Sequence, residues 1–162
     1  MRMKLSRTHT VALAGVVMAH AGPIAAQSSN TLPATIISST QLKALDDSLP
    51  HTSLSSLALG RGSGYTYSLT HRAAPGVIEL HMAWNDVFVI QSGSATLLTG
   101  GLLAGAKAVS VGELREGVLT GATAARVSPG DVVIIPAGTP HQFQLSPGEQ
   151  VTYLAFKVTV AP

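Results

Sequence analysis

The stretch from Gly130 to Phe143 reads GDVVIIPAGTPHQF, and it delivers one histidine from a rigid turn at the end of an apolar strand. Val132 to Ile135 is a short β-branched run suited to a buried strand. Pro136, Gly138 and Pro140 then restrict the chain through a tight turn, so His141 emerges with its direction fixed. Working outward, the complementary stretch is Gly76 to Gly93, GVIELHMAWNDVFVIQSG. Glu79 and His81 lie two apart, which on a strand points both side chains to one face, and Asp86 opens the next apolar alternation with Phe88 and Ile90.

Imidazole and carboxylate donors converging in an apolar setting suit Mn, Fe, Zn, Ni or Cu, and two His with one carboxylate and open positions is a frequent redox geometry. His81, Asp86 and His141 supply that set. If Glu79 joins them, two carboxylates and two neutral imidazoles cancel the charge of a divalent ion. Asp86 is shorter than Glu by about one methylene, so it is expected to reach an ion through water unless its strand shifts inward. Taken singly, each residue has a plainer reading: a strand-end histidine held by hydrogen bonds, or a carboxylate solvated at a rim.

The surrounding pattern is mostly of period two. Strands are expected over Leu54–Leu59, Tyr65–Arg72, Val77–Ala83, Val87–Gln91, Ala95–Leu98, Ala125–Val127, Val132–Ile135, Gln142–Leu145 and Val151–Val160. Ser38 or Ser39 is placed to cap a short helix running to about Asp47, with Leu42 and Leu45 on one side and Pro50 beyond its end. Many short strands between Gly, Pro and Ser turns argue an all-β sandwich or barrel with a short N-terminal helix. The Gly- and Ala-rich insert 102–121, which carries Glu113, Arg115 and Glu116, reads as a loop or lid over one barrel mouth, or as an exposed connection kept solvated by its charges. Glu113 and Glu116, like Asp46 and Asp47, look like solvated surface.

Four further residues are candidates for a substrate pocket. His71 shares a strand face with Tyr65, Tyr67 and Leu69, and is either a substrate contact or a satisfied histidine at the barrel end. Arg115 is a candidate for orienting an anionic substrate. Phe88 and Phe143 are expected beside the ligands, shaping the cavity while packing the barrel. His51 joins no constellation.

The two stretches resemble the paired motifs of the cupin superfamily. In its second motif, Gly, five residues, Pro-x-Gly, two residues and His, the matching positions are Gly130, Pro136, Gly138 and His141. In its first, His-x-His, three or four residues, an acidic residue, six residues and Gly, the places are held by Glu79, His81, Asp86 and Gly93, so Glu replaces the first His and Asp the usual Glu. The family's Gly before the first His would fall near Ala73, and the Asn that often follows the second motif is Leu145. The resemblance runs from about Tyr65 to Lys157 and extends to small exported single-domain cupins that carry Glu-x-His and Asp at these places. It implies a cupin-type double-stranded β-helix, a jelly-roll barrel, over 37–162. It also implies a divalent transition metal, Mn, Fe or Zn, on Glu79, His81, Asp86 and His141, with dioxygenase, decarboxylase or isomerase chemistry on a small oxygenated molecule. A non-catalytic module binding a small ligand or a metal, and a structural barrel without metal, stay open beside it.

Composition narrows the partners. Arg2, Lys4 and Arg7 precede a mildly apolar run from Val11 to Ala19 and small residues up to Ala26, which reads as a secretory signal peptide over 1–26. That run is too short and too broken to span a bilayer, which needs about 20 residues. A polar, flexible lead follows over 27–36, and the expected location is periplasmic or extracellular. The chain contains no cysteine, so neither a disulfide nor a lipid-modified cysteine anchor can form. From Gln27 onward seven Lys and Arg face eight Asp and Glu, a net −1 with His neutral. Without a basic cluster, nucleic acid is excluded as a partner and a small molecule is favoured, while a strand-exchanged homodimer would add apolar burial. Among nucleophile and phosphate motifs, the sequence contains no Walker-type loop and no Gly-x-Ser-x-Gly elbow.

Overall fold

Period-two alternation, punctuated by glycine and proline, closes into β-structure in the computed structural model, which describes residues 34–160. The expected signal peptide and most of the lead lie outside the described residues. The first element is helix α1, Ser39–Ser48. Ser38 caps it: the Ser38 side chain accepts from the Gln41 N–H, and the Gln41 side chain accepts from the Ser38 N–H. Leu49 is extended and Pro50 follows, which ends the helix. No residue of α1 is buried.

The strands that follow are β1 (Leu54–Gly62), β2 (Tyr65–Arg72), β3 (Glu79–His81), β4 (Trp84–Gly93), β5 (Ala95–Thr99), β6 (Leu102–Ala104), β7 (Lys107–Ser110), β8 (Glu113–Arg115), β9 (Val118–Thr120), β10 (Thr123–Val127), β11 (Val132–Ile135), β12 (His141–Gln144) and β13 (Val151–Thr159). Among the described residues they form a five-stranded sheet in the order β1-β2-β13-β4-β11, a six-stranded sheet in the order β10-β5-β12-β3-β8-β7, and the small pair β6-β9. Every pairing is antiparallel.

The insert 102–121, expected as a loop or lid, departs from that reading. It contains β6 to β9, and β8 pairs with β3 while β7 extends the same sheet. Strands of three or four residues are too short to show alternation in the sequence, and the glycines between them serve turns. Gly101, Gly112 and Gly117 all have positive φ. Val77–Ala83 contracts to β3 alone.

The core lies between the two larger sheets. Phe88, Ile90, Leu97, Ile135, Phe143 and Tyr153 are among its buried residues. Phe88, Phe143 and Tyr153 pack on one another with ring centroids 4.9 to 5.4 Å apart, spacings at which tilted and offset aromatic rings attract. At Gly93, φ is +67°, and a Cβ would collide with the Gln150 carbonyl where β4 meets β13. Only glycine satisfies both demands.

Candidate metal centre

The register of the six-stranded sheet assembles half of the site. His141 on β12 stands directly opposite Glu79 on β3, and Glu79 in turn stands opposite Arg115 on β8. Two positions along, and so on the same face, His81 stands opposite Glu113. Directly opposed side chains on one face have Cβ atoms about 5 Å apart, so this ladder forces the charged groups together. The turn before β12 is anchored on the same strand, since the Gly138 N–H donates to the His81 carbonyl over 2.8 Å and Gly138 has a φ of +78°. The Ala137 N–H donates to the Asn85 side-chain oxygen over 2.9 Å. The rigid delivery of His141 expected from Pro136, Gly138 and Pro140 therefore has a visible basis.

The other sheet supplies the rest. Asp86 on β4 stands opposite Lys157 on β13. Asp86 Oδ2 lies 3.2 Å from His81 Nε2 and 3.3 Å from His141 Nε2, so the two imidazoles of one sheet converge on a carboxylate of the other. Glu79 Oε2 is farther from them, at 3.6 and 3.9 Å, and its other oxygen pairs with Arg115. Asp86 thus lies nearer both imidazoles than Glu79 does, because β4 carries it inward to 2 % exposure. Glu79, His81 and His141 each place one donor atom within 4.8 Å of the others.

The tautomers follow from the partners. His141 Nδ1 lies 3.2 Å from the Thr139 carbonyl, which can only accept, so Nδ1 carries a proton and, in the neutral ring, Nε2 is the atom that can bind an ion. That Nε2 is buried and has no protein hydrogen-bond partner. His81 Nδ1 donates to the Glu113 carboxylate over 2.5 Å. A carboxylate on the outer nitrogen of a histidine is the arrangement that fixes the ring and raises its basicity as a metal ligand.

Burial alone would lower the basicity of His81, but its contacts with Asp86 and Glu79 raise it above the ordinary imidazole value. Lys157 opposes this from 2.8 Å, and at that separation one of the two nitrogens must offer a lone pair. In its neutral form the imidazole does so, accepting from the ammonium, which also donates to Asp86 Oδ1 over 2.9 Å. Burial would likewise raise both carboxylates. Contacts with His81, Arg115 and His141 instead bring Glu79 down to about 2. Close contacts with His141, His81 and the Lys157 ammonium hold Asp86 well below the usual carboxylate range. Both are anionic at neutral pH.

A cavity of about 530 Å³ is lined by Ala58, Arg61, Thr66, Ser68, Ala155 and Lys157, among others, and meets the site at Lys157. The four residues expected to line a pocket are placed differently. Phe88, whose ring centroid is 6.2 Å from that of His141, and Phe143 are 6 % and 4 % exposed and belong to the packed core. Arg115 is engaged by Glu79 rather than free for a substrate. His71 bonds Thr152 and stacks on His51, joining a different group of side chains. Glu113, expected as solvated surface, is a partly buried partner of His81, whereas Glu116 is exposed and pairs with Lys107.

No protein-family model matches the sequence, and comparison with curated proteins finds no match. Solved structures do match. BH2720 from Bacillus halodurans superposes with a TM-score of 0.57 at 13 % identity, covering 83 % of this chain and 86 % of that one. The Cnp3 cupin domain of Schizosaccharomyces pombe gives 0.52 at 14 % identity, over 70 % of this chain and 66 % of that one. The chain has the cupin fold. A third match, the DMSP lyase DddQ from Ruegeria pomeroyi, gives 0.47 at 17 % identity, with 65 % of this chain covered; the cupin spans about half the length of that enzyme, 46 %. The jelly-roll barrel and the short N-terminal helix expected from the sequence are thus present, and the residues at both motif positions line one site.

Proposed function

We propose that this cupin binds a divalent metal through His81, His141, Asp86 and Glu79 and acts on a small oxygenated organic molecule by dioxygenase-, decarboxylase- or isomerase-type chemistry. One observation carries the reading: the Nε2 atoms of two imidazoles, one of them buried without a hydrogen-bond partner, converge from one sheet on a carboxylate of the other. Two imidazoles and two carboxylates form a neutral set around a divalent ion and suit Mn, Fe or Zn. Such an ion, when bound, supplies Lewis-acid polarisation of a carbonyl or carboxylate oxygen or, with a redox-active metal, access to dioxygen chemistry. The protein's own residues do the rest. Glu113 and the Thr139 carbonyl hold the imidazoles in orientation, while Arg115 holds Glu79. Phe88 and its aromatic neighbours keep the side of the site toward the core dry. The substrate sits in the cavity beside Lys157, whose ammonium is placed to donate a hydrogen bond or a proton to a substrate oxygen.

Lys157 also favours a second reading. Its ammonium already contacts Asp86 and His81, so a barrel that binds a small ligand without metal or turnover has a cation of its own. The two readings separate by assay. Protein loaded with Mn, Fe(II) or Zn is tested for oxygen uptake and carbon dioxide release across small hydroxy and keto acids. Metal-dependent turnover that disappears in His141→Ala supports the enzyme; stabilisation by a ligand with no turnover supports the binding module. We place the protein outside the cytoplasm on the strength of the basic, apolar and small-residue order of 1–26. N-terminal sequencing of the expressed protein checks this, with a mature terminus near residue 27 expected and an intact Met1 in the cytoplasmic fraction contradicting it.

A further inference from the structure

A second group of ligating side chains lies where the N-terminal helix meets the five-stranded sheet. Asp46 in the last turn of α1, His51 just after Pro50 and His71 on β2 each present one ligating atom, all within 4.8 Å of one another. Little burial holds the helix here. Its attachment is polar: Thr152 on β13 donates to Asp46 Oδ1 over 3.0 Å, and Ser92 on β4 donates to Asp46 Oδ2 over 3.2 Å.

The hydrogen bonds fix the state of His71. Thr152 has one hydroxyl proton, which goes to Asp46, so its oxygen accepts from His71 Nδ1 across 3.0 Å. His71 Nε2 therefore bears no proton. It is buried without a partner, and the residue is 2 % exposed. Leaving a buried acceptor unsatisfied is unfavourable, and satisfied acceptors are the rule. Beside this imidazole lie a carboxylate and a second imidazole, with no Lys or Arg hydrogen-bonded to any of the three among the described residues.

We infer that Asp46, His51 and His71 form a second divalent-metal site, of zinc type, that clips α1 and the loop after it to the sheet. Two imidazoles and one carboxylate, with water completing a tetrahedron, form an ordinary zinc donor set. Ligand atoms around zinc stand about 3.3 Å apart, as bonds near 2.0–2.1 Å in a tetrahedron require. Any pair farther apart than this must draw in, by at most about 1.5 Å, and His51 is the member free to move. It is exposed, and its ring nitrogen has only a 3.3 Å contact with the Asp46 carbonyl. In the present arrangement its ring stacks on His71 at 4.3 Å and 9°, so the in-plane lone pairs run side by side; binding turns His51 out of the stack. A clip of this kind restricts a helix that packing leaves loosely attached.

The test uses zinc alone and is independent of the barrel site. The full chain carrying His81→Ala and His141→Ala is titrated calorimetrically and analysed for metal after desalting, with its fold checked by circular dichroism. One zinc per chain is expected, with a rise in melting temperature, and adding His51→Ala or Asp46→Asn should weaken uptake at least tenfold and abolish the rise. No uptake in the folded double variant, or uptake unchanged by His51→Ala, overturns the inference. Should the double variant fail to fold, the same question is put to the native sequence: His51→Ala must bind one zinc fewer per chain than the unsubstituted protein, and equal stoichiometry refutes the site.

Discussion

Replacing Glu113 by Gln is the sharpest way to ask whether the His81 arrangement serves a metal. Glu113 is directly opposite His81 in the β3–β8 ladder and accepts its Nδ1–H over 2.5 Å, with 18 % of its side chain exposed. Glutamine keeps the shape and an accepting oxygen but removes the charge that makes Nε2 a stronger donor. Losing an outer partner of this kind weakens metal affinity about 10- to 100-fold, which corresponds to about 1.4–2.7 kcal/mol. The Gln variant belongs at the lower end of that range. Ala, which also leaves a buried N–H without an acceptor, belongs at the upper end and destabilises the fold by about 1–3 kcal/mol. Glu116→Gln, three residues along but exposed and paired only with Lys107, provides the control. Competition of Mn and Zn binding against a chelator at pH 7.5 measures the effect. Equal affinities for Glu113→Gln, Glu116→Gln and the unsubstituted protein, all folded, would refute the reasoning.

Further consequences concern the same structure. Lys157→Met removes the cation facing Asp86, so the metal-free protein should lose about 1–3 kcal/mol in urea unfolding, and added Mn should restore most of the loss; equal sensitivity with and without metal would count against competition between Lys157 and the ion. The metal-free protein should be insensitive to pH above about 4.5 as far as Glu79 is concerned. Its carboxyl is held at about 2 in the fold against 4.5 ordinarily, so its stabilisation is complete above the higher value and is lost as pH falls toward the lower. Glu79→Gln should flatten the urea-midpoint profile between these limits. Phe88→Ala should cost about 3–5 kcal/mol in chemical denaturation, because Phe88 is packed against Phe143 and Tyr153 rather than lining a cavity; a loss under 1 kcal/mol would place it at a pocket wall instead.

Much of this architecture was legible in the residues. The apolar alternation from Phe88 to Ile90 predicts a strand because burial on one face demands it, and the β-branched run at Val132–Ile135 predicts another, though not the buried one expected: only Ile135 is buried, while Val132 and Ile134 stand exposed. The proline and glycine spacing before His141 predicts a turn because it leaves the backbone few options. Glu113 was not legible, because its burial depends on which strand β8 pairs with, a long-range choice that local composition does not encode. One signal was present: Glu113-Leu-Arg115 complements Glu79-Leu-His81 in charge and spacing, as an antiparallel pair would. Lys157 had a signal too. It shares the face of Tyr153 and Ala155, where an isolated lysine on an inward row asks for a buried anion, and Asp86 is that anion. The grouping of Asp46, His51 and His71 had no local trace, since β2 must fold back against the end of α1 to form it.

The most direct test of the central claim is the metal content of the protein, purified without a histidine tag or chelator and reconstituted with Mn, Fe(II) and Zn, beside His81→Ala and His141→Ala with fold verified by circular dichroism. To keep the helix-side group from contributing, all three carry His51→Ala. The account predicts close to one ion per chain in the parent and a loss of tight retention in both variants. Metal retained equally by all three folded proteins, or by none of them after reconstitution, would contradict it.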